Sequence, residues 1–210
     1  MPPSRLKRRV PSRDTGPKGA GAAVVYVALL RGINVGGKNI VSMTSLKESF
    51  ERCGFEDVST YINSGNVLFR ATETDARKIE RTIDRVLARD FGINGRTVVR
   101  SRAEMARLVK TMSSTWKADP RLKYNVIFLR HSIDSRRVLA GLTPKPDIEQ
   151  VVYCPGTLLW SAQISALGRT AMLKLASSPL YQDMTVRGVN TTTKILALMQ
   201  VMERPPRQRA

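Results

Sequence analysis

Two cysteines, one histidine and a 6% share of aromatic residues are what this 210-residue chain has least of, and each scarcity excludes something. Cys53 and Cys154 stand far apart with no Cys-x-x-Cys spacing, and His131 alone could join them as a ligand, so no zinc site or disulfide framework is expected. Reduced, buried thiols are the expectation. No run of about 18 apolar residues exists, and the Arg-rich start is not followed by a signal-peptide core. A cytoplasmic location without a membrane partner is therefore expected. Catalytic chemistry is equally thin. There is no G-x-S-x-G elbow, neither cysteine has a cationic neighbour, and His131 is solitary, reading as a loop or surface residue. No catalytic constellation and no cofactor motif is recognised.

Acidic residues are also scarce. Seventeen Asp and Glu face thirty-five Lys and Arg, which leaves a net charge of +18 and favours anionic partners. Much of the excess is terminal: residues 1 to 22 combine Pro2, Pro3, Pro11 and Pro17 with six basic side chains and too little apolar surface to offset chain entropy. A disordered basic tail over 1–22 and a second over 203–210 are expected.

Between the tails, hydrophobic periodicity predicts an α+β fold. Val24 to Leu30 is an apolar strand, and its almost continuous apolar character requires cover on both faces, from elsewhere in the chain or from a second subunit. Ser42 and Gly54 bracket a helix carrying Met43, Leu46 and Phe50. Strands over 58–62 and 67–69 flank the turn Asn63-Ser64-Gly65-Asn66, a long helix runs from about Thr74 to Gly92, and a strand covers 97–100. Ser101 and Glu104 then form a capping-box pattern for another helix. The second part repeats the order: strands over 124–129, 149–153, 158–161 and 185–187, short helices over 135–140 and 170–176, and a closing helix capped by Asn190. Two ferredoxin-like βαββαβ units, each followed by a helix, are expected over 23–115 and 122–202, with no repeat at the level of residues.

The stretch Val24 to Asn39 organises the functional reading. A strand runs into a loop with Gly32, Gly36 and Gly37 and two cations, Arg31 and Lys38. The segment comes within one residue of the GxxxxGK[ST] phosphate loop, but Asn39 stands where the Ser or Thr hydroxyl would bind magnesium, and the helix starts too late. A looser anion cradle survives that mismatch. In a βαββαβ unit the end of the first strand and the turn between the second and third share a sheet edge. Arg31, Asn34, Gly36, Gly37 and Lys38 should thus face Asn63, Ser64 and Asn66, forming a site for a phosphate- or carboxylate-bearing ligand. The alternative is that these residues only shape their own turns. Arg169, Arg187 and Lys194 form a candidate second basic patch, and Trp116 and Trp160 read as packing residues. Nucleic-acid binding through the basic surface and tails is a second functional reading, although Asn66-Val-Leu-Phe-Arg70 lacks the spaced aromatics of an RNA-binding strand. Self-association, including a homodimer, is a third.

The runs YVALLRGINVGGKN and TYINSGNVLF, with TVRGVNTTTKILAL near the end, resemble the DUF1697 family of bacterial proteins, whose function is unknown. The resemblance spans roughly residues 24 to 202 and implies paired ferredoxin-like modules. The terminal motif of that family, T-x-R-N-W-N-T, is matched at Thr185, Arg187, Asn190 and Thr191, while Gly188 and Val189 replace its Asn and Trp.

Overall fold

The computed structural model describes residues 22–34, 39–63, 65–116 and 119–203, so the expectations for residues 1–21 and 204–210 lie outside it. The first half runs β1 (Val24–Leu29), α1 (Met43–Arg52), β2 (Glu56–Tyr61), β3 (Asn66–Ala71), α2 (Ala76–Phe91), β4 (Val98–Ser101) and α3 (Arg102–Thr115). The second runs β5 (Leu122–Leu129), β6 (Glu149–Cys154), β7 (Thr157–Gln163), α4 (Met172–Ser177), β8 (Met184–Gly188) and α5 (Val189–Glu203). Each half folds into a four-stranded antiparallel sheet, ordered β2-β3-β1-β4 and β6-β7-β5-β8. Among the described residues no helix is long and apolar enough to cross a membrane.

Local chemistry sets the helix boundaries. Ser42 accepts a hydrogen bond from the Ser45 amide at the start of α1, and Asp75 does the same for Arg77 at the start of α2. Gly92 ends α2 in the left-handed conformation, φ 65°, where a side chain would be strained. Ser101 and Glu104 complete the capping box of α3. The closing helix starts at Val189, one residue before its expected cap, so Asn190 lies within the first turn.

The second half has less helix than its sequence suggests. Residues Arg136–Gly141 form a 3-10 segment, and α4 is a six-residue helix between two more, Ile164–Arg169 and Pro179–Asp183. The run after Ser135 has Gly141 at its end and Pro144 just beyond, too little chain to repeat the i to i−4 bond profitably.

Alternation along β1 explains how the halves join. Tyr26, Ala28 and Leu30 enter a core with Leu46 and Phe50 of α1 and Ile79 and Ile83 of α2. Val25, Val27 and Leu29 point the other way, into a core shared with Val126, Phe128 and Leu159 of the second sheet and with Met105, Ile195 and Met199 of α3 and α5. The cover that β1 requires thus comes from within the chain. A third core, with Ile127, Leu158, Trp160 and Leu175, belongs to the second half.

Candidate functional site

Two buried arginines tie the halves together reciprocally. Arg187, on β8, donates from Nε to Asn66 Oδ1 at 2.6 Å and from Nη2 to the carbonyls of Leu30 at 2.8 Å and Gly65 at 3.3 Å. Arg100, on β4, donates from Nη2 to the carbonyls of Leu129 and of Gly156, the latter at 2.8 Å. Leu30 directly follows β1 and Gly65 closes the β2–β3 turn; Leu129, at the end of β5, and Gly156 hold the matching places in the second sheet. The Leu30 amide donates to Gly65 O at 2.7 Å, and the Leu129 amide to Gly156 O at 2.9 Å. Residues therefore do repeat, contrary to the expectation from sequence: Leu30-Arg31 is echoed by Leu129-Arg130, Gly65 by Gly156, and Val99-Arg100 by Val186-Arg187. Burial lowers the pKa of both clasp arginines, that of Arg187 to about 10.

This placement corrects two expectations. Arg187 is buried, with Arg169 and Lys194 exposed elsewhere, so the three form no surface patch. Asn66 is the first residue of the central strand β3, fully buried between Leu29 and Tyr61, and its amide donates to Tyr61 O at 3.0 Å. It holds the clasp rather than facing a ligand. Thr157 takes the Asn66 position in the second half, and its Oγ1 has no hydrogen-bond partner among the described residues.

The loop after β1 does meet the β2–β3 turn, since Asn34 Nδ2 donates to Asn63 O at 3.2 Å. Asn34 also accepts from the Val41 amide at 2.7 Å and donates to Val41 O at 3.0 Å. Its own amide reaches Asn39 O at 3.1 Å, and Asn39 Nδ2 reaches Gly32 O at 3.0 Å, closing the loop at its base. Asn34 and Asn39 have φ of 53° and 49°, a region asparagine tolerates better than most residues. Asn34 is therefore occupied in shaping the loop, and Asn63 is exposed. Gly36, Gly37, Lys38 and Ser64 lie outside the described residues. Helix α1 begins at Met43, well past Lys38, so the phosphate-loop geometry in which the helix opens at the lysine is absent here.

Arg31 faces a wall that sequence reading missed. Its guanidinium lies 4.7 Å from the centroid of the Tyr181 ring, and no carboxylate pairs with it among the described residues. It opens on a polar cleft of about 370 Å³ shared with Asn39, with Asn94 and Arg96 from the α2–β4 connection, and with Gln182 from the segment before β8.

Arg130, at the matching place in the second half, has the opposite surroundings. Its Nη2 sits 2.5 Å from Asp84 Oδ2 and its Nε 3.6 Å from Glu80 Oε2, both on α2. Beside it, His131 Nδ1 lies 2.8 Å from Glu80 and 3.4 Å from Arg100 Nη1, with Nε2 3.8 Å from Glu104. His131 is no bystander on the surface: contacts with Glu104 and Glu80 raise its imidazole to about 9. Burial works against ionisation of Glu104, yet His131 and Ser101 hold its carboxyl down at about 2. Arg96 and Asp183 precede β4 and β8 at matching positions and pair with each other at 2.5 Å. The Arg96 side chain also lines a second cleft, of about 540 Å³, with Arg77, Arg81, Arg130, His131 and Ser132 and with the carboxylates of Glu80 and Asp183.

The fold and motifs define a class: residues 24–160 match the model of the family described as protein of unknown function, DUF1697, and the chain belongs to that family. Among solved structures, the chain is similar to a conserved bacterial protein of Streptococcus pneumoniae at 27% identity and a TM-score of 0.74, over 85% of this chain and 99% of that one. No curated protein matches the chain.

Proposed function

We propose that the chain binds an anionic, phosphate- or carboxylate-bearing ligand in the cleft at Arg31. The observation that carries this reading is the state of Arg31: a half-buried guanidinium, held against the Tyr181 ring, with no carboxylate to neutralise it among the described residues. A cation kept at the mouth of a polar cleft by packing alone is preorganised for an anion, because its position has already been fixed on folding. Asn39 and Gln182 supply neutral hydrogen-bonding groups, and Arg96, already paired with Asp183, a second guanidinium. The framework in this reading is two ferredoxin-like units over 23–115 and 122–202, supported by the identical strand order of the two sheets. The setting is cytoplasmic, in keeping with two free cysteines. Titration calorimetry with inorganic phosphate and with citrate tests it. Binding of at least one should weaken about tenfold or more in Arg31→Ala, a loss of about 1.4 kcal/mol. Equal affinity in wild type and variant would refute the assignment.

A further inference from the structure

The cleft at Arg31 and the larger cleft beyond it both include Arg96, whose pairing with Asp183 stands between them. The larger cleft carries an excess of positive charge that the fold does not use. Arg77, Arg81 and Arg85 are exposed at four-residue intervals on α2, and no carboxylate pairs with any of them among the described residues. Like charges at that spacing destabilise a helix, so the arrangement is a cost to folding. Arg77 and Arg81 open into the cleft, opposite His131 and Ser132. Cations thus succeed one another along one path: Arg31, then Arg96, then Arg81 and Arg77.

Resting on the anion reading above, we propose that the ligand is a chain of linked phosphates, with one phosphate at Arg31 and a further one at Arg77 and Arg81, passing over Arg96. Guanidinium groups in series suit such a chain, since each can offer paired N–H donors to one tetrahedral oxyanion. A nucleobase finds less here. No aromatic residue lines the first cleft among the described residues, and the Tyr181 ring beside it is covered by Arg31. The phosphate chain is therefore the recognised feature, whether inorganic or the tail of a nucleotide. His131 is already paired with Glu80 and Glu104, so the unneutralised charge of this cleft lies at Arg77 and Arg81.

The experiment titrates the full chain, at physiological ionic strength, with phosphate, pyrophosphate, tripolyphosphate and adenosine triphosphate. Affinity should rise about tenfold or more from phosphate to tripolyphosphate, as a second contact becomes intramolecular. Arg77→Ala/Arg81→Ala should remove that gain and leave phosphate affinity unchanged, whereas Arg31→Ala should weaken every probe. Arg107→Ala/Lys110→Ala removes the same charge from exposed positions on α3 that line neither cleft, and should change nothing. Equal affinities for tripolyphosphate and adenosine triphosphate identify an inorganic chain as sufficient, and tighter binding of the nucleotide identifies a nucleotide tail. Binding independent of chain length but still dependent on Arg31 overturns this inference alone. An equal loss in the α3 control overturns it as general attraction to a basic protein. If Arg31→Ala leaves phosphate binding intact, the anion reading falls as well.

Discussion

Arg31 and Arg130 follow the two leucines whose carbonyls receive the buried arginines, yet their surroundings differ completely. Arg130 meets Asp84 and Glu80 and is absorbed into the fold, with His131 and Glu104 extending the cluster. Arg31 meets an aromatic ring and an open cleft. The architecture therefore does not require a neutralised cation at this position. What it requires at both ends is the clasp, Arg100 in one direction and Arg187 in the other. Function is expected where one copy of a repeated feature is left unneutralised.

The clasp itself should show the largest effect. Arg187→Ala removes the donors to buried oxygens of Asn66, Leu30 and Thr185, and unpaired buried acceptors cost about 1–3 kcal/mol each before relaxation. A loss of about 4 kcal/mol is expected by urea denaturation, with a similar loss for Arg100→Ala. Arg187→Lys should rescue little, because an ammonium cannot span the same forked acceptors.

Arg130→Ala comes next. It removes a cation from Asp84 and the almost fully buried Glu80, which keep the Thr97 amide and His131 as partners, and should cost about 2–3 kcal/mol in the same assay. A cost below about 1 kcal/mol would show the pairing to be as dispensable as an exposed one, and would erase the contrast with Arg31.

The histidine makes the same end sensitive to pH. Its folded pKa of about 9 lies above the unfolded value near 6.5, so its contribution is complete below about pH 6.5 and is lost as pH rises through 9. Its partial exposure limits the amount to about 2 kcal/mol. Melting temperature followed from pH 6 to 10 should fall across that window, and His131→Gln should flatten the fall. An unchanged slope in the variant would assign it to other groups.

Arg31→Ala should have the smallest effect on stability. Only a cation–π contact of about 0.5–1 kcal/mol is lost, so the melting temperature should barely move while anion binding weakens. A stability loss matching that of Arg130→Ala would make Arg31 a structural residue.

Local signals in the sequence reached some of this. The almost continuous apolar run of β1, the cap residues Ser42 and Gly92, and the Ser101-Glu104 box correspond to elements found in place. The meeting of the 31–39 loop with the 63–66 turn also followed from strand order alone. The clasp was not legible, because arginine is seldom fully buried and nothing local distinguishes Arg100 or Arg187 from the many others. Their echo in Val99-Arg100 and Val186-Arg187 is two residues long, and the spacing between matching positions changes from one echo to the next. Tyr181, Gln182 and Arg96 come from the approach of one half to the other, which periodicity does not encode. Asn66 was singled out for the right neighbourhood and the wrong role, and Arg187 for a patch that does not form: their polarity serves each other.

The reciprocity of the clasp has a consequence for severed chains. The last strand of each half carries an arginine that reaches carbonyls of the other half as well as acceptors of its own, and the core between the sheets is likewise shared. A polypeptide cut in the connection from α3 to β5 yields two pieces, each presenting a guanidinium with unused donors and a set of vacant carbonyls. Mixed together, such fragments should reconstitute a single assembly that melts in one transition, each piece acting as the template on which the other is completed.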